Sequence, residues 1–283
     1  MSSSATPTAR RQRLGAELRK LRERAGITAT EAARLLGGNQ ARISNIEAGR
    51  YGVSAERVRA LSCHYGCSDN ELVNALAAMT GDRSRGWWEE YRGTLPAPLL
   101  DLAEIEHHAH RLRTAVTVHV PGLFQTAEYA REIFRQDVPA LSPPDIEHRI
   151  SFRIKRQAVL FRESPTPHEA VVHEAALRMQ FGGPKVTRKQ LQHLLDLGER
   201  DHITLRVIPF SAGVLAGSGQ SIYYFLGPVP QLDTVNLDQS HGPVFLDAEA
   251  QLKKYRVLLG RMEATALARE ESRDFIHNIA RDL

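Results

Sequence analysis

Five side chains crowded into one short stretch, Gln40, Ala41, Arg42, Ser44 and Asn45, have the chemistry to read the edges of base pairs. The amides of Gln40 and Asn45 each set a donor beside an acceptor, the pairing that bonds adenine N6 and N7. Ala41 offers a methyl group to thymine, Ser44 a hydroxyl to either base type, and Arg42 a fork for guanine or for a phosphate. A second set suits phosphate oxygens. Thr28, Asn39 and Ser54 stand where helices are predicted to begin, so free backbone amides and the helix dipole attract an anion there. Arg50 lies between two predicted helices as a further cation. Contacts of this second kind fix register and carry no sequence information.

Reading bases requires these residues to share one open face, and the flanking sequence supplies the elements that arrange it. Leu14, Leu18, Leu21 and Ala25 form an apolar stripe on a helix over residues 11–25, which Gly26 ends. Thr28 and Glu31 make a capping box for a second helix, whose apolar side is Ala32, Ala33, Leu35 and Leu36. Gly37-Gly38 turns the chain. Asn39 caps a third helix running to Ala48, and Gly49 closes it. Ser54 caps a fourth helix, with Val53 stapled to Val58 and with Leu61 and Tyr65 inward. Ser68 and Glu71 box a fifth, with Leu72, Leu76 and Met79 inward. At about 100° per residue, Ile43 and Ile46 turn the third helix toward the core and leave Ala41, Ser44 and Asn45 opposite. Gln40 falls at its tip and Arg42 on a flank. Glu47 points to the apolar side, where a carboxylate needs a partner; Arg22 on the first helix is the candidate.

Charge supports this division of labour. The 283-residue chain has a formal net charge of +4. Up to Gly66 it carries twelve Lys and Arg against five Asp and Glu, a net of +7, which leaves −3 for the remainder. A basic block on a mildly acidic body points to a polyanion partner for that block alone. The chain is 42% hydrophobic, enough for two domains. It has no apolar run of about 18 residues that would span a membrane. The opening MSSSATPTARRQR lacks the apolar stretch of a secretory signal and reads as a disordered basic arm over residues 1–10. Two cysteines, Cys63 and Cys67, are too few for a disulfide framework and fit a reduced, cytoplasmic protein, nucleoid-associated when bound to DNA.

The stretch LRKLRERAGITATEAARLLGGNQARISNIEAGR, within residues 13 to about 66, resembles the XRE, or lambda-repressor-like, helix-turn-helix family. The pattern IS-x-IE-x-G over 43–49 carries much of the likeness. The resemblance implies base contacts from Gln40, Ala41 and Asn45 and a pairing of Arg22 with Glu47. Gly38 departs from the family, which has a small apolar residue there, and is expected to loosen the turn.

Beyond this domain, taken as 11–80, residues 81–96 read as a connector whose Trp87, Trp88 and Tyr91 pack within the chain rather than at a dimer interface. Residues 97–283 read as an α+β regulatory or partner-binding domain with a helical C-terminus. Helices are expected over 98–113, 126–135, 142–162, 174–181, 187–199, 245–267 and 270–281. Strands are expected over 115–120, 169–173, 203–208, 220–226 and 234–238. The helix over 142–162 carries Arg149, Arg153, Lys155, Arg156 and Arg162 on a flank read as solvated or as an ion-pair ladder. The loop 211–221 reads as a connector.

The segments WWEEYR, EIEHHAHRLRTAVTVHVPGLFQTAEYARE, RISFRIKRQAVL, VVHEAALR and ITLRVIPFSAGVLAG resemble the WhiJ-like regulators of filamentous actinobacteria. That resemblance implies an antitoxin-like transcriptional regulator, linked to development and antibiotic production, with a small acidic partner protein often encoded beside it.

Other function classes find little support. Gly217-Ser218-Gly219 has the wrong spacing for a nucleophile elbow. His173-Glu174 lacks the second histidine of a zinc protease, and neither a P-loop nor a dinucleotide fingerprint occurs. His107, His108 and His110 lack a second half-site for a metal, and Cys63-His64 with Cys67 is no better. No cofactor and no catalysis are expected. The expected function is a homodimeric regulator of a two-fold DNA operator, its C-terminal domain docking the small partner; a small-molecule sensor is the alternative.

Overall fold

A computed structural model describes residues 7–80, 86–217, 219–239 and 242–283. Most of the expected basic arm, residues 81–85 of the expected connector, and Ser218 lie outside the described residues. The chain divides into two units, residues 1–92 with 96–105 and residues 93–95 with 106–283.

Five short helices build the first unit: α1 (Ala9–Arg24), α2 (Ala29–Leu35), α3 (Gln40–Glu47), α4 (Ala55–His64) and α5 (Asn70–Ala78). Each begins where a side-chain oxygen takes up an orphan amide. Thr8 caps α1, so the helix starts at Ala9 and absorbs the last residues of the expected arm. Thr28 and Glu31 form their reciprocal box on α2. Asn39 accepts from the Arg42 amide at 2.9 Å, and Ser54 from that of Arg57 at 3.3 Å. At α5 the cap is Asp69 and not Ser68, because the Asp69 carboxylate reaches the Leu72 amide at 2.9 Å. Leu14, Leu18, Leu21, Ile43, Ile46, Val58, Leu61, Leu72 and Leu76 form the core. Leu35, expected inward, is exposed, while Ala32 and Ala33 are buried and let the neighbouring helix come close. A 3-10 turn over Trp87–Tyr91 follows, with Trp88 and Tyr91 buried, and then α6 (Ala97–His108).

The second unit is a six-stranded sheet with helices. Its strands are β1 (Arg111–Val116), β2 (His168–His173), β3 (Ile203–Ile208), β4 (Ile222–Leu226), β5 (Thr234–Gln239) and β6 (Gly242–Leu246), in the order β3-β2-β1-β4-β5-β6. β1, β2 and β3 run parallel, and β4, β5 and β6 continue from β1 as antiparallel neighbours. The crossover from β1 to β2 carries α7 (Ala127–Phe134) and α8 (Pro143–Arg156). That from β2 to β3 carries α9 (Glu174–Arg178) and α10 (Gly183–Gly198), and α11 (Glu249–Thr265) and α12 (Arg269–Asp282) complete the chain.

Several expected boundaries move. The first strand lies at 111–116 and not 115–120, and the helix before it stops at His108. β1 sits in mid-sheet with Leu112, Thr114, Ala115 and Val116 all buried, so its sequence lacks the polar alternation that marks a half-exposed strand. The helix at 142–162 ends at Arg156 and tightens into a 3-10 turn. β6 was not expected; Pro243 argues against a strand, yet β6 is an outer strand, where proline is tolerated. Leu252, Leu259 and Met262 of α11 pack on one sheet face against Ala115, Val171, Tyr224 and Val235.

The outer edge of β3 is finished by the C-terminal segment. Leu267 N donates to Val207 O at 2.9 Å, and Val207 N donates to the buried Ser272 Oγ, also at 2.9 Å. A loop amide and a hydroxyl thus occupy the places of a neighbouring strand.

Candidate nucleic-acid interface

The third helix is anchored by Ile43 and Ile46, only 2% and 3% exposed. On the other side Gln40, Ala41, Arg42 and Ser44 are open to solvent, and Asn45 is half-buried. The main chain explains Asn45: its carbonyl accepts from the amides of both Arg50 and Tyr51, at 2.9 and 3.1 Å, folding the exit of α3 around it. The five residues therefore lie together on and beside one accessible face, about two helical turns long.

Thr28, Asn39, Arg50 and Ser54 are also exposed. They are not equivalent. Thr28 donates both its amide and its hydroxyl to Glu31 Oε2, each at 2.7 Å. Those bonds, the backbone one first, hold the Glu31 carboxyl below its ordinary pKa. A carboxylate already sits where Thr28 would receive a phosphate. Asn39 and Ser54 use their side-chain oxygens as acceptors, which leaves the Ser54 hydroxyl proton to donate.

Arg22 and Glu47 are brought together. Arg22 Nε and Nη2 donate to Glu47 Oε1 and Oε2 at 2.6 and 2.9 Å, a fork-to-fork pair with the two side chains 10% and 9% exposed. The hydrogen bonding from Glu47 raises the Arg22 pKa above its ordinary value. Arg22 Nη1 also donates to Ile27 O at 2.8 Å, so one guanidinium joins α1, the link to α2 and the end of α3. Tyr65 stands close by; burial, aided by the charge of Glu47, pushes its phenol up to about 12.

One positioning residue escaped the reading of the sequence. A Cβ on Gly15 would lie 2.4 Å from Glu47 O and 2.6 Å from Ile46 O, so α1 meets the last turn of α3 backbone against backbone. Gly49, at φ +70°, receives α1 in the same way, its would-be Cβ 2.9 Å from Gln12 N. A glycine inside an otherwise strong helix is the signal that was there to be read.

Four of the five basic side chains expected along 142–162 are turned to internal bonding. Arg149 pairs with Asp137 at 2.9 Å. Arg156 forms a buried two-point pair with Glu106 at 2.6 and 2.7 Å. Arg153 donates to Gln125 Oε1, and Arg162 donates to the carbonyls of His107 and Ser164. Among the described residues no group of His, Cys, Asp or Glu is arranged to hold a metal ion; Cys63 is exposed and Cys67 half-buried. Among them, too, no helix is long and apolar enough to cross a membrane.

Residues 13–76 match a family described as a helix-turn-helix domain, which supports a DNA-binding regulator. Residues 99–278 match a family described as a domain of unknown function, DUF5753. No curated protein and no solved structure matches the chain. Because the second match spans more than half of the chain, the protein belongs to the DUF5753 family, with a helix-turn-helix domain at its N-terminal end.

Proposed function

We propose that the protein is a sequence-specific transcriptional regulator of the XRE type that lays α3 in the major groove of an operator. Gln40, Ala41, Arg42, Ser44 and Asn45 contact base edges, while Asn39, Arg50, Ser54 and the backbone beside Thr28 hold phosphates. The observation that supports this most is the exposed face of α3, opposite the deeply buried Ile43 and Ile46 and fixed in direction by Arg22 and Glu47. Selection of bound duplexes from a random pool tests it. Enrichment of one motif by the wild type, weakened by Gln40→Ala, supports the reading; recovery of unenriched duplexes by the wild type overturns it.

One such domain spans few base pairs, so the regulator acts as a homodimer on two half-sites about one helical turn apart. Sedimentation of the protein with its selected duplex tests this, and a single copy on the full site rejects it. The resemblance to WhiJ-like, antitoxin-like regulators supports a role for the C-terminal unit in docking a small acidic protein. Sedimentation of the chain coexpressed with a small acidic protein of the kind that resemblance implies tests that role; independent migration of the two removes it.

A further inference from the structure

Among the described residues of the first unit only two large apolar side chains stand open to solvent, Leu35 at 43% and Tyr51 at 56%. They bracket α3: Leu35 ends α2, and Tyr51 lies four residues past Glu47. The other tyrosines of that unit, Tyr65 and Tyr91, are buried. Tyr51 differs from Leu35 in carrying a hydroxyl as well, and that hydroxyl makes no hydrogen bond among the described residues.

The chain around Tyr51 fixes where it stands. Gly49, at φ +70°, closes α3, and the amides of Arg50 and Tyr51 both donate to Asn45 O, at 2.9 and 3.1 Å. Tyr51 is thereby pinned to the exit of α3, between Arg50 and the Ser54 cap of α4. No Asp or Glu occurs from Ala48 to Ala55. The flanking acids are Glu47, spent on Arg22, and Glu56 in the first turn of α4. A guanidinium, a free phenol and a capping hydroxyl thus follow one another with no carboxylate between them. A tyrosine there suits a nucleic-acid backbone, with an apolar ring face for a deoxyribose and a hydroxyl donor for a phosphate oxygen. Recognition helices present their N-terminal residues to base edges. Tyr51 lies beyond the C-terminal end of α3, past Asn45, so its place is that of a backbone contact and not of a base reader.

We infer that Tyr51 is a further DNA contact of the first unit, its ring against a deoxyribose and its hydroxyl donating to a phosphate oxygen beside the one held by Arg50. The inference rests on the reading of α3 in the major groove and adds a neutral clamp to the charged one. Two signatures set such a clamp apart. A backbone contact carries no sequence information, so operator and random duplex feel it alike. A phenol releases no counterion, so, unlike Arg50, it leaves the slope of log affinity against log salt unchanged.

Fluorescence anisotropy of full-length Tyr51→Phe on the selected operator and on random duplex tests it. The variant should lose about tenfold in affinity on both duplexes, with the wild-type salt slope and the wild-type Tm. Tyr51→Ala, which also removes the ring, should lose several-fold more and should sediment like the wild type in the absence of DNA. Operators carrying a single methylphosphonate, placed at each phosphate in turn, should show one position where the replacement weakens the wild type but not Tyr51→Phe. Wild-type affinity in Tyr51→Phe, a loss confined to the operator, a changed salt slope, or the lack of such a phosphate overturns the inference. So does dissociation of the free protein by Tyr51→Ala, which would place Tyr51 between copies of the chain. Those outcomes leave the reading of α3 standing; that reading, and Tyr51 with it, falls when the wild type itself selects no motif.

Discussion

Arg22 and Glu47, twenty-five residues apart, meet through two parallel hydrogen bonds of 2.6 and 2.9 Å. The contact ties the last turn of α1 to the last residue of α3, and with it the direction in which α3 presents its open face. Glu47→Gln leaves Arg22 charged and only partly paired in a site of little exposure. It should cost about 2–3 kcal/mol of stability in the first unit. Replacing both residues, as Arg22→Met with Glu47→Leu, should recover part of that loss, since a pair of apolar side chains leaves no orphan charge. Urea unfolding of the full-length variants measures both effects; a double variant less stable than Glu47→Gln alone would contradict this.

Two glycines near α3 should respond in opposite ways. Gly15→Ala drives a methyl group to 2.4 Å from Glu47 O, so a backbone must move; stability and operator affinity should fall together. Gly38 has a negative φ, and its would-be Cβ has Arg42 Cδ as nearest neighbour at 3.5 Å. Gly38→Ala should therefore stabilise by about 0.5 kcal/mol through the unfolded chain. Melting temperatures that shift the same way for both would refute the contrast.

Base readers and phosphate holders separate by salt and by sequence. Gln40→Ala and Asn45→Ala should each lose about 1–3 kcal/mol on the selected operator and little on random duplex. Arg50→Ala should weaken both alike and reduce the slope of log affinity against log salt by about one. Fluorescence anisotropy across a salt series on both duplexes checks these outcomes. Equal losses for Gln40→Ala on the two duplexes would remove it from base reading.

His168 makes the second unit sensitive to acid. Its ring is fully buried, bonded to Thr114 Oγ1 at 2.8 Å, and desolvation takes its pKa from 6.5 to about 3. The unfolded chain therefore binds a proton that the folded chain refuses. The contribution is present above pH 6.5 and is lost as pH falls toward 3, by up to about 1.4 kcal/mol per pH unit. Unfolding free energies of the wild type and His168→Gln at several pH values below 6.5 check the sign. Their difference should shrink with acidity; a constant difference would show that His168 does not titrate between the two states.

The first unit was largely legible because its information is local. Capping residues, glycine turns and the stripe of Leu14, Leu18 and Leu21 each speak within one helix. Even the long-range partner of Glu47 could be named, since a carboxylate on an apolar face leaves few choices. Asp69 in place of Ser68 is a one-residue shift between two good caps. The second unit hid more. Thr114 within β1 is polar yet buried, paired with His168, so neither alternation nor an apolar run marked that strand. Arg153 and Arg156 lie on the flank read as solvated or as an ion-pair ladder; ion pairing holds for Arg156, but its partner Glu106, and Gln125 beside Arg153, lie too far away in sequence to be named.

The closure of β3 by Leu267 and Ser272 has a consequence for the molecule as a polymer. The sheet has one margin stitched shut by its own tail, and the stitch is only two hydrogen bonds deep. Loss of the tail from Leu267 onward, by proteolysis or by truncation, would bare a strand flank rich in isoleucine and valine. Such a flank zips readily onto another of its kind, so shortened chains should gather into insoluble ribbons.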